Sequence, residues 1–337
     1  MTVRQQLDAL IHPVAGGGGV VLLDGSIGME LGRRGVDLTG PLWSAGANLT
    51  RPELVFELHR DFLAAGAALV TTNTFRAHRR ALPVGSDSRV VDEVVAAGVE
   101  AACSARDAIN PQALVFGSIG PLEDCYTPHR APDDSTCHRE HAEQIERMLS
   151  AGVDAVVLET MGTRREAVAA AQEAARLAPD RWVLSMIVRG ESSDASTRGV
   201  LLSGEPVTSV IDDLGDALAG ALAVGLNCVP APKLAGEFDL LQSLVGPRMR
   251  LLASANVGEP DGRGGWRPTD ATDPQRYAAY AEQWIGVGMA ENEDERGDKP
   301  ARPAMIIGGC CGTGPATIRA LAAQWSIKPA ASSGRAL

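Results

Sequence analysis

Eight short apolar runs, separated by stretches with a helical pattern, are the feature that most limits how this chain can fold. The eight candidate strands are residues 20–23, 68–72, 114–118, 155–158, 182–188, 221–226, 250–255 and 304–307. Amphipathic or alanine-rich stretches lie between them, at residues 52–65, 88–109, 138–151 and 164–177. Because each strand is followed by a helix, the pattern predicts the α/β class and a single closed (β/α)8 TIM barrel of parallel strands.

Length and charge limit the class of protein further. A chain of 337 residues fits one large barrel, and its net charge of −11 argues against nucleic acid or an anionic membrane as partner. No apolar stretch reaches the roughly 18 residues of a membrane span. Six cysteines are too few for a disulfide scaffold, so we expect reduced thiols and a cytoplasmic location.

The predicted domain division has three parts. Residues 1–19 form an amino-terminal helix and a glycine-rich loop, residues 20–327 form the barrel, and residues 328–337 form a disordered tail. The four glycines at 16–19 precede the first strand, so a flexible loop is favoured there over a phosphate cradle. The acidic segment 291–298 reads as a solvated insertion before the last strand.

Polar residues and glycines follow nearly every predicted strand. In a parallel barrel the loops after the strands meet at one end of the molecule, and enzymes on this architecture build their sites there. The residues at these positions include Asp24, Gly25, Asn73, Glu159, Asn227, Cys228, Asn256, Cys310 and Cys311. We therefore expect them to surround a single site.

Two adjacent cysteines, Cys310 and Cys311, follow the last apolar run and have glycines on both sides. Neighbouring side chains on an extended strand point to opposite faces, so both can approach one atom only where the strand ends. Cys228 ends another candidate strand. Three thiolates at strand ends suit Zn²⁺ and leave one coordination position open, which is typical of a catalytic metal site.

Other candidate site residues have two interpretations each. Asp24 could be a turn or helix-cap residue. Glu159 ends an apolar run, where an unpaired carboxylate is costly, so its partner is either a substrate ammonium or a structural arginine such as Arg189. Asn73 and Asn256 could bind substrate or satisfy backbone groups of their loops.

The remaining cysteines are weaker signals. Cys103 lies in an alanine-rich helical stretch that predicts a core position. Cys125 and Cys137, with His138 and His141 nearby, could form a second metal site after the third strand. Their spacing follows no clean ligand pattern, so the sequence favours a single metal site.

Several segments resemble the homocysteine S-methyltransferases, the zinc-dependent family that includes betaine- and S-methylmethionine-using enzymes. The matching segments are residues 23–31, 42–44, 59–66, 72–75, 117–121, 158–160, 225–228 and 308–311. They extend over nearly the whole chain. The resemblance implies that Cys228, Cys310 and Cys311 are the zinc ligands.

The resemblance also implies how the acceptor is held. Asp24 and Glu159 look like the acidic residues that bind the amino acid, with Gly25 lending a backbone contact. Asn73 and Asn256 are further candidates for substrate binding. The acceptor would be homocysteine, and the product methionine.

The chemistry of three thiolates agrees with methyl transfer to sulfur. Such an electron-rich zinc site lowers the pKa of an incoming thiol yet withdraws little electron density from it. Its negative charge favours a cationic donor: S-methylmethionine first, then S-adenosylmethionine or betaine. Aromatic candidates for that cation are Trp43, Phe75, Tyr126 and Trp266. The alternatives are another thiol or selenol acceptor, or a non-catalytic zinc or thiol redox sensor on the same barrel.

Overall fold

All eight predicted strands are present in the computed structural model. Its described residues are 1–14, 18–190, 198–261, 266–287 and 304–328. The strands are β1 (His12–Pro13), β2 (Gly19–Leu22), β3 (Leu69–Thr71), β4 (Leu114–Ile119), β5 (Ala155–Met161), β6 (Trp182–Met186), β7 (Ala221–Pro230), β8 (Leu251–Asn256), β9 (Gly258–Pro260), β10 (Trp266–Pro268) and β11 (Met305–Gly309). Gly16 and Gly17, the acidic segment 291–298 and the tail from residue 329 lie outside the described residues.

The helices lie between the strands as the pattern predicted. They are α1 (Val3–Ala9), α2 (Ile27–Arg33), α3 (Ala47–Thr50), α4 (Pro52–Ala65), α5 (Arg89–Ile109), α6 (Asp134–Ala151), α7 (Arg164–Leu177), α8 (Val207–Leu214), α9 (Ala231–Val245), α10 (Pro274–Val287) and α11 (Pro315–Gln324). None of those in the described ranges is both long and apolar enough to cross a membrane.

Local chemistry sets the ends of these helices. Pro52 begins α4, and Gly66 ends it in a left-handed conformation with φ of 115°, which matches the predicted bounds. Helix α6 begins four residues before the predicted position 138. The reason is Asp133, whose side chain accepts a hydrogen bond from the Thr136 amide and caps the helix there.

Nine of the described strands form one curled, mostly parallel sheet. Its order is β1-β2-β11-β8-β7-β6-β5-β4-β3, and every pairing except that of β1 with β2 is parallel. A parallel bridge between Leu23 and Leu69 links β2 to β3, with hydrogen bonds from Ala68 N to Leu22 O and from Asp24 N to Leu69 O. The α/β class and the parallel arrangement of the eight predicted strands are thus confirmed.

Three strands were not predicted. Strand β1 pairs antiparallel with β2 in the segment expected to be a loop, and β9 and β10 form a short hairpin after β8. Strands of two or three residues contain too few side chains to show a period of two, so the sequence pattern could not reveal them.

Side chains alternate between the two faces of the sheet. Val21, Leu23 and Ile306 belong to an inner cluster with Phe116, while Val20 and Leu22 pack outward against the helices. Leu7 of α1 is fully buried in the inner cluster. Helix α1 therefore packs against the sheet interior, and polar residues gather where the strands end.

Candidate metal and acceptor site

Three cysteine sulfur atoms lie together at the carboxyl ends of β7 and β11. The Sγ atoms of Cys228, Cys310 and Cys311 are all within 4.8 Å of one another, and the Cys228 and Cys310 sulfurs are in bonding contact. Strand β11 ends at Gly309. Because the chain turns there, two adjacent cysteines face the same point, as the sequence predicted.

The cysteine-bearing segments are joined by Asn256, at the end of β8. Its Nδ2 donates to the Cys228 carbonyl at 2.8 Å, and its Oδ1 accepts from the Cys311 amide at 2.9 Å. The Cys310 amide donates to the Ala255 carbonyl at 2.8 Å. Asn256 is fully buried, so its amide holds two metal-ligand candidates in position.

Asn227 forms a second link, between the cysteines and β5. Its Oδ1 accepts from the Thr160 amide at 2.9 Å and from the Ser185 hydroxyl at 2.8 Å, and its Nδ2 donates to the Thr160 hydroxyl at 2.7 Å. The same Nδ2 lies 3.6 Å from the sulfur of Cys228 and 3.9 Å from that of Cys310. One buried amide thus contacts both the thiols and the segment after Glu159.

Backbone strain is concentrated around these groups. Cys228 and Thr160 have φ of 57° and 64°, and Trp43 has φ of 50°. A positive φ is rare for residues with a side chain, and most of all for a β-branched residue such as Thr160. Such conformations persist only where surrounding contacts enforce them, and they cluster at functional sites.

Glu159 lies in the same cavity with its charge uncompensated. Its Oε1 accepts a hydrogen bond of 2.5 Å from the Ser118 hydroxyl. Within the described ranges no arginine or lysine forms an ion pair with it, and Arg189 instead reaches the Leu202 carbonyl. Burial raises the pKa of Glu159 above its ordinary value, and the Ser118 hydrogen bond opposes that shift only in part.

Asp24 lies behind Glu159 and is almost completely buried. Its Oδ2 accepts from the Thr71 amide at 2.7 Å, and both carboxylate oxygens are 3.2 Å from the Thr71 hydroxyl. Burial raises the pKa of Asp24 well above its ordinary value, and the nearby Glu159 carboxylate raises it further. Asp24 itself does not line the cavity, whereas Gly25 does.

Gly25 and Asn73 have different surroundings. A Cβ atom on Gly25 would meet the Thr313 hydroxyl and the Phe62 ring at about 3 Å, so a side chain there would crowd the cavity wall. Asn73 lines the cavity, but its amide accepts from the Ser44 hydroxyl and donates to the Ser44 carbonyl and to Asn48. Asn73 therefore holds this wall together.

The site opens into a cavity of about 320 Å³. Trp43, Phe75 and Tyr126 line it, and the Trp43 and Phe75 rings meet edge to face with centroids 6.1 Å apart. Trp266, the fourth aromatic candidate, lies on β10, is 40% exposed and does not line the cavity.

The donor set fits a soft divalent metal. Cys228, Cys310 and Cys311 offer only sulfur, which favours Zn²⁺ and related ions over Mg²⁺ or Ca²⁺. Burial, with Glu159 nearby, raises the pKa of the Cys311 thiol to about 11. The metal-free thiol is therefore protonated at neutral pH, and a metal would bind with release of that proton.

The residues considered for a second metal site have other partners. Cys137 is buried against Leu122 and Ala169, His138 pairs with Glu173 and His141 with Glu166. Cys125 instead lines the main cavity. Its position could not be anticipated, because it depends on the path of the loop after β4.

Sequence reasoning assigned no role to several polar groups that position the site. Thr71, Ser118 and Ser185 are polar residues near the carboxyl ends of apolar strands. A polar residue at that position could have identified each of them from the sequence as part of the site. Asn227 directly precedes Cys228, but its contact with Thr160 joins residues 67 positions apart. Such a contact leaves no local pattern in the sequence.

A parallel α/β sheet with buried carboxylates and a thiol cluster at its strand ends defines a group-transfer enzyme with a candidate metal centre. The chain belongs to the homocysteine S-methyltransferase family: that family model matches residues 21–325. The match includes every candidate site residue.

Individual relatives agree with this family. The chain is 30% identical to the homocysteine S-methyltransferase of Escherichia coli, over 90% of this chain and 95% of that protein. It is 27% identical to a selenocysteine Se-methyltransferase of Brassica oleracea var. italica, over 90% and 88%. The solved structure of the E. coli homocysteine methyltransferase MmuM in its metallated form superposes with a TM-score of 0.72, at 28% identity, over 90% and 96%.

Proposed function

We propose that this chain transfers a methyl group from a small cationic donor to the sulfur of homocysteine and so makes methionine. The observation that carries the proposal is the cluster of Cys228, Cys310 and Cys311 in one cavity with Glu159, a carboxylate that no arginine or lysine of the described residues neutralises. Membership of the homocysteine S-methyltransferase family supports it.

The metal of the proposal is Zn²⁺, held by the three cysteines. When bound, zinc supplies a charge that keeps the acceptor sulfur in its thiolate form at neutral pH. The side chains of Asn227 and Asn256 fix the cysteine-bearing segments, so the three cysteines would be held close together before any metal arrives. Zinc itself is supported by the all-sulfur donor set, and metal binding by the metallated relative.

Glu159 and Asp24 would hold the amino acid end of homocysteine. Both carboxylates have a raised pKa because they are buried, and an ammonium group would compensate the charge of Glu159 directly. Asp24 is shielded from the cavity, so its role would be to orient Thr71 and strengthen the local negative potential. The acceptor would thus be fixed at one end while its sulfur reaches the thiol cluster.

The methyl donor would lie against Trp43, Phe75 and Tyr126. A sulfonium or quaternary ammonium is attracted by aromatic faces and by the negative charge of the site. A cavity of about 320 Å³ is near the lower limit of ligand pockets, at roughly 300 Å³. Two small molecules suit this space better than a donor that carries an adenosine group, so we rank S-methylmethionine ahead of S-adenosylmethionine.

In the transfer itself the homocysteine sulfur attacks the methyl carbon, and the bond from that carbon to the donor atom breaks. The donor departs without its positive charge, as methionine when it is S-methylmethionine. No protein base takes part at this step. The role of the described side chains is therefore to bind, orient and exclude water, which accounts for much of the rate advantage of bound reactants.

We also propose that the sheet closes into a barrel. The link between Leu23 and Leu69 supports a closed (β/α)8 barrel, which we assign to residues 20–327. Residues 1–19 and 328–337 would flank that domain, and the reaction would take place in the cytoplasm. Proteolysis should then release only short terminal fragments and leave the barrel intact.

One experiment tests the function. Zinc-loaded, reduced protein is incubated with homocysteine and, in separate reactions, S-methylmethionine, S-adenosylmethionine or betaine, and methionine is quantified. Selenocysteine replaces homocysteine in a parallel series, because one relative is named for that acceptor. We expect turnover with S-methylmethionine and its loss in Cys228→Ala. Methionine formation that survives this substitution would refute the role of the thiol cluster.

The redox-sensor alternative makes a different prediction. A sensor needs Cys228 and Cys310 but has no use for an unpaired carboxylate beside them. Homocysteine binding, measured by calorimetry on the zinc-loaded protein, should weaken in Glu159→Gln if the chain is a methyltransferase. Equal affinity in the two proteins would favour the sensor.

A further inference from the structure

A second cavity, larger than the one at the cysteines, lies outside the strand ends. Its volume is about 540 Å³, and it is bounded by the segment between β3 and α5 and by helix α6. We call it the arginine cavity. The lining residues with polar side chains are His78, Arg79, Arg80, Ser86, Arg139, Glu140, Glu143, Gln144 and Arg147.

The charge of the arginine cavity is opposite to that of the chain. Four arginines and two glutamates line it, whereas the whole chain has a net charge of −11. Arg80 is already fully used, since it pairs with both Glu140 and Glu123. Within the part of the chain that the structure describes, Arg79 has one ion pair, to Glu143 at 3.8 Å. Its guanidinium, which carries five donors, is thus nearly free for a ligand.

Arg139 is similarly available. It reaches Glu140 at 3.4 Å and the Thr136 hydroxyl at 3.2 Å, and its side chain is 58% exposed. A guanidinium binds phosphate or carboxylate through two parallel hydrogen bonds, which is a stronger and more specific contact than a single one. Arg79 and Arg139 therefore provide donors in excess of what the protein itself uses.

Two buried polar side chains supply an independent sign of a ligand. His78 and Gln144 line the arginine cavity and are at most 2% exposed. Among the described residues, both ring nitrogens of His78 and the Oε1 of Gln144 have no hydrogen-bond partner. Buried polar atoms are nearly always paired, so three unpaired atoms in one wall of the cavity point to a partner that the described residues do not supply.

We propose that the arginine cavity binds a small polyanion, either a phosphate ester or a polycarboxylate. Its anionic oxygens would meet Arg79 and Arg139, and a hydroxyl or amino group would pair with Gln144 or His78. The volume suits a ligand of nucleotide or citrate size, within the range of about 300 to 1,000 Å³ usual for ligand sites.

The position of the cavity gives the ligand a means to act on the main site. The segment from His78 to Ser86 directly follows Phe75 and Arg76, which line the main cavity. Arg80 also pairs with Glu123, which precedes Cys125 and Tyr126, two further residues that line the main cavity. A polyanion would therefore order both loops beside the donor, and we infer that it changes the KM for the methyl donor.

Calorimetry with pyrophosphate, ATP and citrate tests the binding site in the absence of either substrate. We expect saturable binding of at least one probe, weaker at high salt, and an affinity at least tenfold lower in Arg79→Ala/Arg139→Ala. Arg176→Ala is the matched control, because Arg176 is a similarly exposed arginine on α7 outside the cavity. Pyrophosphate or ATP binding would indicate a phosphate ester, and citrate binding a polycarboxylate.

Two outcomes would overturn the site. One is the absence of binding by all three probes; the other is equal affinity in the double variant. The inferred effect on catalysis rests on the proposed function and is measured separately, as the KM for the methyl donor with and without the bound probe. An unchanged KM beside confirmed binding would refute the coupling alone, whereas an inactive enzyme that still binds the probe would refute only the proposed function.

Discussion

Replacing Glu159 with glutamine should affect stability and substrate binding in opposite directions. The substitution keeps the size of the side chain and a hydrogen-bonding partner for Ser118 but removes a buried negative charge. In the free protein that charge is unfavourable, because burial raises the pKa of Glu159. We therefore expect Glu159→Gln to be more stable than the wild type near neutral pH.

The effect of Glu159→Gln on the free energy of unfolding should depend on pH. When folding raises the pKa of a carboxyl group, that group stabilises the folded state. The contribution is fully present below the pKa that the group has in the unfolded chain, and it is lost as the pH rises through the pKa that it has in the folded protein. The stability advantage of Glu159→Gln should therefore vanish near pH 4 and grow above it, by about 1.4 kcal/mol for each unit of pKa shift. Urea unfolding at a series of pH values measures this difference.

Binding should change the other way. A hydrogen bond between charged groups contributes about 1.5–3 kcal/mol, so losing the contact with the homocysteine ammonium should raise the KM for homocysteine by roughly 10- to 150-fold. Steady-state kinetics with varied homocysteine measures this. A variant with a normal KM would refute the assignment of Glu159 as the ammonium site.

Glu166 offers a matched control. It is also a buried glutamate, but its Oε1 accepts from the Leu122 amide at 2.7 Å and lies 3.2 Å from His141. Because the Glu166 charge is already used within the protein, Glu166→Gln should lower the free energy of unfolding by about 1 kcal/mol and leave the homocysteine KM unchanged. Equal behaviour of the two variants would mean that both carboxylates are merely structural.

Three further predictions concern the metal, its support and acid stability. Cys228→Ala should lose stoichiometric zinc on dialysis, as measured by atomic absorption. Oxidation of the wild type should also release zinc, because it joins Cys228 to Cys310. Asn227→Ala should lower the free energy of unfolding by about 1–3 kcal/mol, since the buried Thr160 amide loses its acceptor. Asn227→Asp should keep an acceptor for the Thr160 amide but bind zinc more weakly, which a chelator competition would reveal; equal affinity would exclude a role for Nδ2. Burial lowers the pKa of His59 to about 4, so the wild type should lose roughly 2–3 kcal/mol of stability as the pH falls from 6.5 to 4. His59→Phe should flatten that slope, and a slope identical to that of the wild type would disprove the assignment.

The sequence was sufficient to predict the strands that carry the site. Cys310 and Cys311 follow a strand that contains Ile306 and Ile307, and their convergence required only that the strand end before them. The position of Glu159 at the end of an apolar run identified it as a site candidate, but it did not decide between a substrate ammonium and Arg189 as its partner. Such predictions succeed because they depend on local chain geometry.

Other features depend on contacts between distant parts of the chain. Asn227 meets Thr160 across 67 residues, and Gln144 faces a loop about 60 residues earlier. The amides of Asn73 and Asn256, predicted to contact substrate, are occupied by backbone and side-chain groups of neighbouring loops. Their predicted substrate contacts stay predictions, because spacing along a chain does not determine which partner an amide selects.

The close contact between β2 and β11 limits how this protein can acquire new specificities. The Gly309 amide donates to the Asp24 carbonyl at 3.0 Å, and a Cβ atom on Gly308 would lie 2.6 Å from that oxygen. The strand that precedes Asp24 and the strand that precedes Cys310 and Cys311 are thus locked as one unit. Members of the family should therefore differ mainly in the loops after β3 and β4. Substitutions there can change which methyl donor binds without disturbing the residues that bind the acceptor.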